Sequence, residues 1–171
     1  MNGERFERLR GFGLRMTLSE PEHDLLRALP DELRTIYGET DDADPVRARL
    51  FPRAYLDPTA EEAEREWRAL VHPELVRERL AALDRVVSSL EAADRQRGEF
   101  TLELTVDDVT AWLRVLNDAR LALGTRLGVT EETTMDDLDP EDPATPGLAA
   151  YAWLTYLEGE LVETLLEDLP E

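Results

Sequence analysis

The sequence predicts an α+β fold, predominantly helical, with about five or six helices packed with a small two- or three-stranded antiparallel sheet. Three observations carry this. Two segments, 12–18 and 100–106, alternate apolar and polar residues with the period of a strand that has one buried face. Each is followed by a helix-start signature, Ser19 with Glu22 and Thr105 with Asp108: a hydroxyl that caps and an acid that reaches back. Most of the remaining chain places apolar residues three and four apart, as an amphipathic helix does.

With 171 residues and 42% hydrophobic content, the chain suits a single domain spanning 1–171. Residues 5–38 hold the N-terminal strands and first helix. The weaker run Arg5–Arg10 should form a hairpin with Phe12–Leu18. The helix that follows turns Leu25, Leu26, Leu29, Leu33 and Ile36 to one side, and Pro30 is expected to kink or restart it before Gly38 ends it. Residues 39–58 read as an irregular, proline-framed loop, and 59–98 as helices. There Thr59 with Glu62 repeats the capping pattern, His72-Pro73 marks a bend or new start, and Gly98 is the stop. Val76, Leu80, Leu83, Val87 and Leu90 form an apolar seam that suits a helix on its own core, or a dimeric coiled coil. Residues 99–128 are a strand and a helix, 129–145 an acidic loop, and 146–169 a C-terminal helix whose first half is apolar nearly all round. Setting Leu18-Ser19 on Leu104-Thr105 superimposes Leu26 on Trp112 and Leu29 on Val115, the pattern of a duplicated strand-helix unit.

The sequence has no Cys, which excludes disulfides, thiolate metal sites, cysteine nucleophiles and thiol redox switching. It has no Lys either, so a P-loop lysine and a Schiff-base lysine are excluded as well. The net charge is −20, and it is uneven: residues 127–171 carry thirteen acids and no base. Phosphate neutralisation drives nucleic-acid binding, and such a surface opposes it. The expected partner is a basic protein surface, with no direct contact to nucleic acid. The charged N-terminus resembles no signal peptide, and no run approaches a membrane span, so a cytoplasmic location without a membrane anchor is expected.

His23 and His72 lie in no metal-binding spacing and read as surface or cap residues. No nucleophile-elbow, dinucleotide or P-loop motif occurs, and "DDLDPEDPATPG" lacks the turn glycine and closing glutamate of a calcium loop. No catalytic residue, metal or cofactor is therefore assigned. The informative polar residues interrupt apolar runs: Arg49, Arg53 and Tyr55 within "RLFPRAYLD" and its approach, and Asn117, Asp118 and Arg120 within "WLRVLNDARLALGTRLG". Arg49, Arg53, Tyr55, Asn117 and Asp118 are the candidate partner contacts. Arg120, beside Leu116 and Leu123, is the candidate internal tether.

These stretches, with "GLRMTLSEPEHDLLRALPDELRTIYG" and "YAWLTYLEGELV", resemble an actinobacterial family long catalogued as a domain of unknown function and also called AosR-like. The resemblance covers nearly the whole chain. It implies a non-enzymatic regulator in oxidative-stress transcription that acts through an alternative sigma factor, with genes near those of a Clp-protease adaptor and cysteine metabolism. A thiol switch does not carry over to a chain without thiols. The expectation is a regulatory or adaptor protein docking on a sigma factor or RNA polymerase, as monomer or homodimer. A small carboxylate and Arg hydrolase, with or without a divalent metal, and a structural homodimer are the alternatives.

Overall fold

The computed structural model describes residues 5–10, 13–38, 41, 43–133, 139 and 141–166. Nine elements follow in order: β1 (Phe6–Leu9), β2 (Gly13–Ser19), α1 (Glu20–Gly38), α2 (Pro45–Leu50), α3 (Glu61–Glu91), β3 (Asp94–Gln96), β4 (Glu99–Leu104), α4 (Val106–Leu127) and α5 (Thr145–Leu166). The fold is α+β and mostly helical, as expected, and its sheet has four antiparallel strands in the order β1-β2-β4-β3. The period-two pattern places Leu14, Met16, Leu18, Leu102 and Leu104 buried on one face, but it ends at Leu104: Val106, expected to continue it, is exposed and opens α4. Phe12 lies outside the described residues.

The additional strand is β3, three exposed polar residues that no apolar alternation could reveal. Its cause is the turn. Arg97 and Gly98 both have positive φ, 54° and 86°, which closes a tight two-residue hairpin from Gln96 to Glu99. Gly98 therefore belongs to this turn, and α3 stops earlier, at Glu91.

The strand order is palindromic. β2 and β4 pair from Leu14↔Leu104 to Leu18↔Phe100, centred on Met16↔Leu102, so exchanging the two strands preserves the register. The alignment of Leu18-Ser19 with Leu104-Thr105 is thus also a symmetry of the sheet. Each central strand has an outer hairpin partner and leads directly into a helix, α1 or α4. At the second start Thr105 and Asp108 form a complete capping box. At the first, Glu22 accepts from both the Ser19 amide and hydroxyl at 2.8 Å.

Other expectations are corrected by packing. α1 runs through Pro30 and α3 through Pro73 without interruption. A helical proline removes one donor and destabilises by about 3 kcal/mol, which long helices packed on both sides of it can bear. Thr59 caps no helix; its hydroxyl donates to Asp57, and the N-cap is Ala60. Residues 45–50, expected as loop, form α2, with Asp44 accepting from the Arg47 amide at 2.8 Å and Pro45 at the first position. The α3 seam lies on its own core: Leu83 and Leu90 are buried and Val76 and Leu80 pack partly buried against it, but the third buried residue is Val86 in place of the expected Val87. α5 packs closely on α4: a Cβ at Gly124 would come within 2.8 Å of the Tyr151 ring. Residues 134–138 and 140, expected in the acidic loop, and 167–169, expected to end the C-terminal helix, lie outside the described residues.

Candidate functional site

The segment from α2 through the following loop, residues 45–58, has an inner and an outer face. On the inner face Phe51 is buried, and four side chains surround its ring. The Arg79 guanidinium lies 4.7 Å from the ring centre and that of Arg47 5.1 Å, His72 packs at 4.8 Å, and Tyr37 meets it edge-on at 6.1 Å. Arg79 also donates to the Leu50 carbonyl at 2.8 Å and ion-pairs with Asp118. Asp118 in turn accepts from the Tyr37 hydroxyl at 2.7 Å. Burial, then the neighbouring carboxylate, pushes the Tyr37 hydroxyl above its ordinary value, which keeps it a donor. Arg47 reaches the Ile36 and Tyr37 carbonyls at the end of α1 and donates to His72 Nε2 at 2.6 Å. The segment is thereby bolted to α1, α3 and α4 together.

A second buried acid holds the loop. Glu64, 4% exposed, accepts from the amides of Ala54 and Tyr55 at 3.0 and 2.9 Å and from Arg68 at 2.8 Å. The Tyr55 amide first, then Arg68 and the Ala54 amide, holds this carboxyl below the usual glutamate value. Further out, Arg53 pairs with Glu61 at 2.6 Å and donates to the Tyr55 carbonyl at 3.3 Å.

The outer face presents Arg49, Arg53, Tyr55 and Leu56 to solvent, with Tyr55 43% and Leu56 85% exposed. Between it and the first turns of α3 lies a cleft of about 460 Å³ lined by Phe51, Pro52, Leu56 and three arginines, Arg53, Arg65 and Arg68. A larger depression of about 750 Å³ crosses β2, β4 and β3, but it is polar, and its Arg15 is committed to Glu7 and Glu103.

The sequence-derived candidates therefore divide. Arg49, Arg53 and Tyr55 share one exposed surface. Asp118, expected to contact a partner, is 2% exposed and engaged by Tyr37 and Arg79, so it lies in the interior. Asn117 is half-buried, and its Oδ1 accepts from Arg120 at 3.0 Å. Arg120 lies 3.0 Å from Glu158, bridging α4 to α5.

Sequence reading missed Arg47, Glu64 and Arg79, because their partners are distant in the chain or are backbone groups. It also placed His23 on the surface. His23 is 3% exposed, stacks on Phe100 at 3.7 Å and donates from Nε2 to the Leu90 carbonyl at 3.2 Å, a flat ring serving as core.

Another hub, equally unforeseen, joins the N-terminal hairpin to α5. Glu22 pairs with Arg5 at 2.8 Å and accepts from the Trp153 indole at 3.0 Å. Burial would raise its pKa, but the Arg5 and Ser19 donors win and hold it at about 2. Among the described residues no group of three or more His, Asp or Glu is placed to hold a metal ion, and no helix is long and apolar enough to cross a membrane.

Comparison with known proteins agrees with the extent of the fold. The model of the family described as "Domain of unknown function (DUF2017)" matches residues 3–165. The oxidative stress regulator AosR of Mycobacterium tuberculosis is 32% identical over 152 residues, covering 80% of this chain and 67% of that protein. The same figures hold for AosR of Mycobacterium bovis. An AosR protein of Mycobacterium leprae is 32% identical over 134 residues, which cover 72% of this chain and 59% of the relative's length. No solved structure matches. Matched by the family model over almost its full length and 32% identical to the first two of these relatives over 80% of its residues, the chain belongs to the DUF2017, AosR-like family.

Proposed function

We propose that the chain is an intracellular regulator in oxidative-stress-linked transcription, acting by protein contact through the outer face of segment 45–58 rather than by catalysis. The observation that carries this is the build of that segment. Two buried acid-centred networks fix its inner face, while Arg49, Arg53, Tyr55 and Leu56 are exposed to solvent. A preorganised loop with exposed Tyr and Arg suits recognition, because little ordering entropy remains to be lost on binding.

The relatives' name supplies the biological setting. The net charge of −20 supplies long-range steering toward a partner that is basic overall, such as a sigma factor or RNA polymerase, weakening as salt rises, while the Arg-bearing outer face makes the local contact. Thiol sensing is not part of these 171 residues, so a redox signal would reach the chain through its partner.

The test is an equilibrium titration of the purified chain against RNA polymerase core and against each sigma factor of the source organism, at low and physiological salt. Saturable, salt-weakened binding to one of them is expected, with sizing chromatography reporting whether one copy or two takes part. Binding to none of them, or selective binding to duplex DNA by the chain alone, would overturn the reading.

A further inference from the structure

We propose that the cleft between residues 48–56 and the first turns of α3 receives an acidic polypeptide segment with an apolar anchor, a short run in which Leu, Met or Phe is flanked by Asp or Glu. This rests on the reading that the outer face of segment 45–58 is the contact surface, and it specifies what that surface takes.

The charge inside the cleft runs against that of the chain. Glu61, Glu64, Arg65 and Arg68 fall on one side of α3, because residues three, four and seven apart share a helical face. Glu61 is matched by Arg53 and Glu64 by Arg68. Glu64 is further saturated by the Ala54 and Tyr55 amides, so it offers little to a ligand. Arg65 is exposed and has no carboxylate partner among the described residues. Among the described lining residues three guanidinium groups face two carboxylates, an excess of one positive charge carried by Arg65, on a chain whose net charge is −20. An acidic group arriving here meets a planar donor fork with unused hydrogen bonds.

The floor is apolar, formed by Ala48, Phe51 and Pro52. Phe51 cannot yield, because Arg47, Arg79, His72 and Tyr37 hold its ring from behind. An apolar side chain therefore finds a preformed seat. Leu56, 85% exposed, forms part of the rim, and a small acid lodged on the floor would leave it in water. A polypeptide continuing across the rim covers both Leu56 and Tyr55. A polyphosphate or nucleic acid would have to bring many charges into the field of the acidic body, whereas one or two carboxylates beside an apolar residue need only the local field.

The test is a display selection of short random peptides on the purified chain. Recovered sequences are then synthesised and titrated by fluorescence anisotropy against the wild-type chain, Arg65→Glu, Leu56→Asp and, as a control on the β3–β4 turn, Arg97→Glu. Enrichment of acidic residues around an apolar one is expected. Binding should weaken about tenfold or more in Arg65→Glu and Leu56→Asp and stay unchanged in Arg97→Glu, with all four proteins melting alike. Enrichment of basic or purely apolar peptides, no enrichment, or equal affinity in Arg65→Glu would overturn the proposal. So would binding of a free aromatic carboxylate in place of any peptide. The polymerase and sigma-factor titration separates the two readings. If those partners fail while acidic peptides bind through Arg65, the proposed function falls and the cleft stands; if they bind and Arg65→Glu changes neither them nor peptides, only the cleft falls.

Discussion

The two faces of segment 45–58 are made of the same residue types put to opposite uses. On the inner side arginine and aromatic groups are desolvated, and the arginines have specific partners: Arg79 has Asp118 and the Leu50 carbonyl, and Arg47 the carbonyls ending α1. On the outer side the same chemistry, Arg49, Arg53 and Tyr55, stands in water with few obligations. The difference teaches that in this protein an arginine's role is set by which helix face or loop side it falls on. A buried ion pair is costly to break because a charge is left behind, whereas an exposed one contributes little to stability and remains available to a partner.

The largest expected effect comes from breaking the inner face at its centre. Asp118→Ala leaves Arg79 and the Tyr37 hydroxyl without their acceptor and should destabilise by about 3 to 5 kcal/mol, measured by urea unfolding. Phe51→Leu keeps most of the volume but removes the ring that Arg47 and Arg79 stack on, and a loss of about 1 to 2 kcal/mol is expected in the same assay.

Acid sharpens the comparison, because it releases the loop without removing an atom. Glu64 has a folded-state pKa below its unfolded value, so the stability it contributes is fully present above the ordinary glutamate pKa and is lost as pH falls through the lowered one. The Ala54 and Tyr55 amide resonances should therefore titrate together, with a midpoint below that of an exposed Glu, and Glu64→Gln should abolish that titration. Glu22 obeys the same sign in a separate region. Its contribution is present above its unfolded pKa and is lost as pH falls toward about 2, so Glu22→Gln should flatten the acid limb of the stability curve over that window.

Much of the fold was legible because the features that build it are local. Period-two alternation marks β2 and β4, and the Thr105–Asp108 box fixes the start of α4 to the residue. α2 is too short for periodicity to register, although Asp44-Pro45 carries its start signal. β3 has no apolar residue to announce it, and its pairing is dictated by the turn beyond it.

The site was half legible. Arg49, Arg53 and Tyr55 stand out as polar or amphipathic residues beside an apolar run, and all three are on the surface. Asp118 stands out for the same reason, yet it is interior, because its partners Tyr37 and Arg79 come from helices that no sequence pattern links to it. Composition tells that a buried acid needs a cation; only the packing of α1, α3 and α4 tells which one.

The central claim is that the outer face binds and the inner face folds, and the double variant Arg53→Ala/Tyr55→Ala tests it most directly. Its melting and its affinity for the sigma factor or polymerase bound by the wild-type chain are measured side by side. The account predicts a stability within about 0.5 kcal/mol of wild type and an affinity reduced by about tenfold or more. Undiminished affinity in a protein that melts normally would contradict it.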